Sequence, residues 1–153
     1  MTRLAKPVQT EPAAAQEPYV LEAQVGFLLR KAQQRATEQF NTVMGGFGVT
    51  PTQFAALAKL LEFGATSQNQ LGRLTAMDPA TIFSVVGRLA KRGWVVQVAD
   101  MHDARLVNVS LTAAGELAAR QMIQLAPTVS HKTLAPLTTA EAKLLLNLIR
   151  KLG

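Results

Sequence analysis

Apolar residues recur at spacings of three and four along most of the chain, and this pattern predicts a mainly helical protein. The first helix is expected from Tyr19 to about Met44, where the glycine-rich segment 45–48 ends it. Three shorter helices follow, and each begins after a residue whose side chain can cap the free amides of a first turn. These capping residues are Thr50, Ser67 and Asp78.

The helical pattern stops at Gly93, and two short segments after it favour β-strands. Strands are expected over Trp94–Val98 and Leu106–Leu111, and the second alternates apolar and polar residues. Asp100–Arg105 lies between them and is expected to form the tip of a β-hairpin.

Two further helices are predicted after the hairpin. Thr112 is expected to cap a fifth helix that extends to about Leu125. Whether this helix continues through Pro127 stays open, because proline lacks the amide N–H that a helix interior needs. Thr138 and the glutamate three residues later match a capping box, which predicts a last helix that ends at Leu152.

This order of elements predicts a mainly α protein with a small β-hairpin wing. Residues 49–111 are interpreted as a winged helix-turn-helix domain that binds DNA. Residues 19–48 and 112–153 flank it, and their apolar stripes are expected to pack in a homodimer, because a winged helix of this size needs no such flanks. Residues 1–18 contain three prolines and are predicted to form a flexible arm.

Composition narrows the class of protein. The chain has 153 residues, a formal net charge of +6 and a pI near 10.2, which favours a polyanionic partner. It contains no cysteine, which excludes disulfides, thiolate metal sites, cysteine nucleophiles and sensing by thiol oxidation. No apolar run is long enough for a membrane span, and the N-terminus lacks the apolar core of a signal peptide. We therefore expect a cytoplasmic protein without a membrane partner.

The fourth predicted helix has two distinct faces. At about 100° per residue, one face carries large apolar residues and the opposite face carries small or basic ones. The expected inner residues are Ile82, Val85, Val86 and Leu89. The expected outer residues are Ala80, Ser84, Gly87 and Lys91, with Thr81, Phe83 and Arg88 on the flanks.

Small outer residues would allow this helix to approach the edges of base pairs. Thr81 and Ser84 can donate or accept hydrogen bonds, and Arg88 can reach guanine or a phosphate. Phe83 can contact the methyl group of thymine. The alternative is an ordinary surface helix with a solvated basic end.

The hairpin tip contains a candidate ion pair. Asp103 and Arg105 are two residues apart, so their side chains would share a face of an extended backbone. The carboxylate can then fix the orientation of the guanidinium, which suits an arginine that probes a minor groove. His102 and Asp100 complete the turn. The alternative is a β-turn with a surface ion pair that contributes little.

Three segments resemble the MarR family of transcription regulators. Asp78–Val95 looks like the family's recognition helix and its exit, and Thr50–Leu57 is similar to the start of its second helix. Asp100–Gly115 resembles the family's wing and the start of the next helix. The most specific marks are an Asp-x-Arg element at Asp103 and Arg105 and a Leu-Thr-x-x-Gly element at 111–115. The resemblance covers about residues 20–152.

The resemblance implies a homodimer that binds a pseudo-palindromic operator in double-stranded DNA, in most members as a repressor released by a small anionic or aromatic ligand. Arg105 would enter a minor groove and Asp103 would orient it. The third helix would contact phosphates through Ser67, Gln68 and Asn69. The remaining DNA-contact candidates are Ala80, Thr81, Phe83, Ser84, Arg88 and His102. Many relatives carry a second basic residue where this chain has Phe83-Ser84, so more of the binding would depend on Arg88, the wing and DNA shape.

The start of the first helix, Val25–Arg35, resembles relatives that control the catabolism of aromatic acids. Arg30, Lys31 and Arg35 can pair with a carboxylate or with the phosphates of a coenzyme A thioester. An apolar slot beside them would be lined by Phe27, Phe47, Phe54 and Phe63. The alternative is a solvated basic face over a cluster of core phenylalanines.

Two other classes of function compete with this interpretation. An enzyme is not expected, because two histidines, no cysteine and no clustered carboxylates give neither a catalytic triad nor a metal site. No cofactor is expected either. A winged-helix module that binds proteins instead of DNA is the alternative that remains.

Overall fold

The structure is a computed structural model that describes residues 18–153, so the predicted arm lies outside the described residues except for Pro18. Within residues 18–153, six α-helices and three strands follow one another, with short 3₁₀ turns at Leu21–Ala23 and Gly45–Phe47. The helices are α1 (Val25–Met44), α2 (Pro51–Phe63), α3 (Gln68–Leu74), α4 (Pro79–Lys91), α5 (Ala113–Leu134) and α6 (Thr139–Ile149). The strands are β1 (Thr66–Ser67), β2 (Val95–Ala99) and β3 (Val107–Leu111).

Side-chain caps begin the helices at the positions predicted from the sequence. The side chain of each capping residue accepts a hydrogen bond from the backbone amide three residues later, which satisfies a donor that the first turn leaves free. These residues are Thr50, Ser67, Asp78, Thr112 and Thr138. Thr50 and Thr138 each form a complete capping box, of which only the second was predicted.

The three strands form one antiparallel sheet in the order β1-β3-β2. Val95 pairs with Leu111 and Ala99 pairs with Val107, so β2, β3 and the tip between them form the predicted wing. The short strand β1 was not predicted, because two residues cannot show an alternating pattern. Its pairing of Thr66 with Val109 joins the wing to the start of α3.

Two predicted helix boundaries were wrong, and one question was open. Helix α5, whose course past Leu125 the sequence leaves open, continues through Pro127 to Leu134. Ala126 and Val129, on either side of the proline, pack against the core, and this burial holds the helix together across one missing backbone hydrogen bond. Helix α6 ends at Ile149 instead of Leu152. Helix α1 begins at Val25 instead of Tyr19, because Leu21–Ala23 form a 3₁₀ turn and Gln24 has an extended backbone.

The core lies between the C-terminal part of α1, helices α2 to α5 and the sheet. Its fully buried side chains include Met44, Leu57, Leu71 and Met122. The four predicted inner residues of α4 are all buried, which confirms the orientation of that helix. Helix α6, in contrast, has no buried residue although seven of its 11 residues are apolar.

No helix in the described part of the chain combines the length and the apolar character that crossing a membrane requires.

Candidate nucleic-acid interface

The outer face of α4 is a shallow surface made of small and polar residues. Ala80, Ser84 and Arg88 are exposed on it, and Phe83 is 67% exposed on its flank. A Cβ atom added to Gly87 would have no other atom within 4 Å, so open space lies in front of the middle of the helix. The backbone of α4 can therefore approach a partner closely.

Thr81 has a local role that the sequence interpretation missed. Its hydroxyl donates to Asp78 Oδ2 at 2.7 Å and its backbone N–H donates to Asp78 Oδ1 at 2.8 Å. These two bonds hold the pKa of Asp78 below its ordinary value, the backbone bond more than the side-chain bond. The hydroxyl of Thr81 therefore helps to begin α4 and keeps only its lone pairs for another partner.

A crevice of about 380 Å³ separates the outer face of α4 from the start of α2. Two threonines at the start of α2, Thr50 and Thr52, line it with hydroxyl groups that are 3.0 Å apart. The sequence pattern identifies Thr50 only as a cap and gives no signal for Thr52. Nothing in the linear pattern brings α2 next to α4, so only the tertiary structure identifies this part of the surface.

The wing tip (Asp100–Arg105) holds its arginine in a fixed orientation. Arg105 Nε donates to Asp103 Oδ1 at 3.0 Å and Arg105 Nη2 donates to Asp103 Oδ2 at 3.1 Å. This bidentate contact is the main cause that keeps the pKa of Asp103 below its ordinary value. The predicted pair is confirmed, but the predicted extended backbone is wrong: the amide of Leu106 donates to the carbonyl of Asp103, which closes a turn.

Asp100 organises the rest of the wing tip. Its Oδ1 accepts from the amides of His102 at 2.8 Å and Asp103 at 3.1 Å, and its Oδ2 accepts from Asn108 Nδ2 at 3.0 Å. The bond from His102 is the largest cause of the lowered pKa of Asp100. The predicted contact residue His102 is exposed at this turn.

The start of α3 lies beside the wing tip. Ser67, Gln68 and Asn69 line a small cavity together with Arg105 and the two residues after it. Ser67 Oγ accepts from the amide of Gln70 at 3.2 Å, while Asn69 is exposed. The structure thus brings together two groups of candidate residues that are about 36 positions apart in the sequence.

Arg92 is a further structural residue that the sequence analysis missed. Its Nη1 and Nη2 donate to the carbonyls of Gly48 and Phe47, each at 2.7 Å, and its guanidinium lies 3.9 Å from the centroid of the Trp94 ring. These contacts tie the end of α4 to the segment between α1 and α2. A basic residue at the end of a helix is common, so the sequence gives no signal that Arg92 binds carbonyls more than 40 positions away.

The Leu-Thr-x-x-Gly element joins α5 to the exit of α4. Thr112 Oγ1 donates to the carbonyl of Gly93 at 2.7 Å. A Cβ atom on Gly115 would lie 1.9 Å from the carbonyl oxygen of Trp94, so only glycine fits there. This close approach explains the glycine of the element.

The candidate effector residues do not form the slot expected from the sequence. Phe54 packs on Phe40 in the core with ring centroids 5.8 Å apart, and Phe63 is 54% exposed beside Lys59. Phe47 packs against the core near the end of α1, and its carbonyl is bound by Arg92. The spacing along the chain did not reveal that Phe47 and Phe54 pack against the core while Phe63 is exposed.

The three basic residues of α1 also differ in their surroundings. Arg35 is engaged, because its Nε and Nη2 donate to the carbonyls of Thr133 at 2.9 Å and Lys132 at 3.0 Å. Lys31 Nζ lies 5.8 Å from the centroid of the Phe27 ring. Arg30 instead lines a largely apolar cavity of about 710 Å³ between α1, α5 and α6, together with Gln33, Ser130 and Thr133 among others.

The fold and this surface define a class of protein: a winged-helix DNA-binding transcription regulator. A sequence profile of the MarR family matches residues 47–106. The chain is 37% identical over 147 residues to the HTH-type transcriptional repressor NicR of Pseudomonas putida. The aligned region covers 94% of this chain and 93% of NicR. The chain belongs to the MarR family.

Two solved structures agree with this assignment. A probable transcriptional regulator from Pseudomonas aeruginosa is 46% identical, with a TM-score of 0.81 over 88% of this chain and 100% of that one. BpsR of Bordetella bronchiseptica, whose DNA binding is described as regulated by 6-hydroxynicotinic acid, is 34% identical, with a TM-score of 0.82 over 89% and 97% of the two chains. These relatives are transcription regulators and not enzymes.

Proposed function

We propose that the protein is a homodimeric repressor that binds a pseudo-palindromic operator and releases it when a small aromatic acid binds. Two observations carry the proposal: the outer face of α4 is small and exposed, and the arginine at the wing tip is fixed beside the start of α3. A helix with small exposed residues suits a major groove, and an oriented arginine on the wing suits a minor groove. DNA binding would account for both features at once.

The DNA contacts are assigned by position on this surface. Ala80, Ser84 and Arg88 face outward from α4 and would meet base edges or the adjacent phosphates. The start of α3 lies next to Arg105 and would contact the DNA backbone between the two grooves through Ser67, Gln68 and Asn69. His102 would lie against the same backbone as part of the wing tip.

A second copy of the chain would cover the exposed apolar residues of the flanking helices. Leu144 is 58% exposed and Leu148 is 49% exposed on α6, and Val25 is 66% exposed at the start of α1. These residues lie on helices outside the winged domain, where a partner leaves α4 and the wing free. A two-fold axis between the copies would direct two α4 helices at successive major grooves. The two half-sites would then be related by the same two-fold symmetry, so the operator would be pseudo-palindromic.

The effector class is inferred from BpsR together with the cavity between α1, α5 and α6. The acid that BpsR responds to is a small heteroaromatic carboxylate. The cavity offers apolar walls for such a ring and Arg30 for its carboxylate, with Gln33 and Thr133 as further polar groups. A DNA-bound regulator of this kind also fits the cytoplasmic location expected from the sequence.

The test combines thermal shift with electrophoretic mobility shift on a duplex selected by the protein from a random pool. We expect 6-hydroxynicotinic acid or a related aromatic acid to raise the melting temperature and to release the duplex. Arg30→Leu should abolish both responses while binding the duplex normally, and Lys31→Leu is the matched control on the same helix. A response only to coenzyme A thioesters would revise the effector class. Failure to select any duplex would favour a protein-interaction module and contradict the proposal.

A further inference from the structure

Phe83 is an exposed aromatic side chain on the surface that faces DNA in the proposed function. Its side chain is 67% exposed. The other large apolar residues of α4 lie in the core, and they are Ile82, Val85, Val86 and Leu89. Among the described residues, its ring has no aromatic or cationic partner. Nothing in the folded chain therefore explains why a phenylalanine occupies this position.

The neighbours of Phe83 allow its ring to reach the base pairs. Ala80, Ser84 and Gly87 lie on the adjacent outward positions and are short, and open space lies in front of Gly87. A helix with such a face can enter a major groove deeply. The ring of Phe83 would then project beyond its neighbours and meet the base edges first.

The apolar group that the major groove offers on base edges is the C5 methyl of thymine. An aromatic ring has no hydrogen bond to donate to or accept from the other base edges, so contact with them would leave their polar groups without water. We propose that Phe83 selects a thymine in each operator half-site through contact with its methyl group. The proposal rests on the proposed function, because it requires that α4 reads DNA.

The proposal assigns Phe83 a role in specificity that is separate from affinity for phosphates. A duplex in which deoxyuridine replaces that thymine keeps every hydrogen-bonding group and lacks only the methyl group. Loss of one buried methyl corresponds to about fourfold in affinity, so replacement in both half-sites of a dimer should cost roughly 15-fold.

The experiment uses the full-length protein and a duplex that it selects from a random pool. Each thymine of the half-site is replaced in turn by deoxyuridine, symmetrically in both half-sites, and binding is measured by fluorescence anisotropy. We expect one position at which the wild type binds the symmetrically substituted duplex roughly 15-fold more weakly. Phe83→Ala should bind the thymine and deoxyuridine duplexes equally at that position.

The control is Phe63→Ala, which removes a similarly exposed ring, 54% accessible, from the end of α2 away from this surface. It should keep the wild-type ratio between the two duplexes. Phe83 lies outside the core, so its alanine variant should fold, and an unchanged melting temperature verifies this.

Two results would overturn the proposal. One is a wild type that binds equally well with deoxyuridine at every thymine of the half-site, and the other is a deoxyuridine effect that persists in Phe83→Ala. If the wild type selects no duplex at all, the proposed function itself fails, and that outcome is distinct from the first two.

Discussion

Asp103 and Arg105 show how one residue can prepare another for binding. The arginine side chain is 90% exposed and the aspartate side chain 34% exposed, so the pair adds little to the free energy of folding. Its effect is on orientation, because two parallel hydrogen bonds hold the guanidinium plane where a flexible side chain would otherwise search many rotamers. The carboxylate therefore serves the arginine, although its own charge repels DNA.

We expect removal of the negative charge at Asp103 to weaken DNA binding, although removing a negative charge near DNA ordinarily strengthens it. Asp103→Asn removes a negative charge near the DNA, so charge alone predicts tighter binding to the operator. Loss of the fixed orientation predicts weaker binding, and we expect this effect to dominate, with a loss of about 1 kcal/mol or roughly fivefold in affinity. Mobility shift against the selected duplex measures it. Glu116→Gln on α5 is the control of equal charge change, and tighter binding by Asp103→Asn would refute the orienting role.

In the described part of the chain, four carboxylates have a pKa below the ordinary value because each accepts hydrogen bonds in the folded protein. They are Asp78, Asp100, Asp103 and Glu141. A lowered folded pKa stabilises the fold above the unfolded pKa near 4, and the contribution is lost as the pH falls through the folded value. We expect the melting temperature to be nearly constant from about pH 8 to 5 and to fall in more acidic buffer. A melting temperature that rises between pH 5 and pH 3 would contradict this assignment.

At the scale of elements, α5 is attached to the exit of α4 by a contact that admits no side chain. The carbonyl of Trp94 occupies the place of a Cβ atom at Gly115, and Thr112 binds the carbonyl of Gly93. Arg92 links the same exit to the segment between α1 and α2. Helix α4 is thereby attached to α5 and to the segment that follows α1, which would give a physical route from the proposed effector cavity to α4.

Gly115→Ala is expected to be strongly destabilising, because the backbone of Trp94 or α5 must move to admit the methyl group. We expect a loss of about 2–3 kcal/mol in the free energy of unfolding, measured in urea. Gly87→Ala in α4 meets no atom within 4 Å and should stabilise by about 0.5–1 kcal/mol, because alanine favours a helix. Equal stability of the two variants would show that the contact at Gly115 relaxes freely.

The elements that the sequence predicted well are those with local causes. Caps at Thr50 and Asp78 and the apolar stripe of α4 depend on residues within a few positions of one another, and so does the Asp103–Arg105 pair. The residues that sequence reasoning missed act over long separations. Strand β1 exists only through its pairing with Val109, and α5 continues through Pro127 only because tertiary packing holds it.

The arrangement of the candidate effector residues could not be predicted from the sequence for the same reason. Residue type alone places four phenylalanines in one slot, but Phe54 packs against the core and Phe63 is exposed at the end of α2. Arg30 was grouped with Arg35, although only Arg30 lines the cavity and Arg35 caps the carbonyls at the end of α5. Which face of α1 meets α5 depends on packing that no local pattern reports.

At the scale of the whole molecule, the exposed apolar surface is concentrated on the flanking helices. Helix α6 has no buried residue, although it contains Leu144, Leu145, Leu146, Leu148 and Ile149. Clusters of exposed apolar residues typically mark an interface. In the proposed homodimer, the two copies bury Leu144 and Leu148, which do not line the cavity between α1, α5 and α6. This contact would hold the two α4 helices at a fixed separation.

Leu148→Lys should therefore convert the dimer to a monomer, because a charge in the interface would lose its hydration without a partner. Sedimentation equilibrium measures the change in mass. The monomer should bind the palindromic duplex at least tenfold more weakly, since it contacts one half-site at a time. Asn147→Lys, which adds the same charge one position earlier, is the control. A wild type that sediments as a monomer would contradict the dimer.

The central claim is that the wing tip and α4 bind operator DNA together, and the affinity of Arg105→Ala for the selected duplex at several salt concentrations tests it most directly. Arg120→Ala is the matched control, because Arg120 also pairs with a carboxylate, Glu116, but lies on α5 outside this surface. We predict that Arg105→Ala weakens binding at least about tenfold and lowers the salt dependence by about two counterions per dimer, while Arg120→Ala stays close to wild type. Equal affinity and equal salt dependence of Arg105→Ala and the wild type would contradict the account.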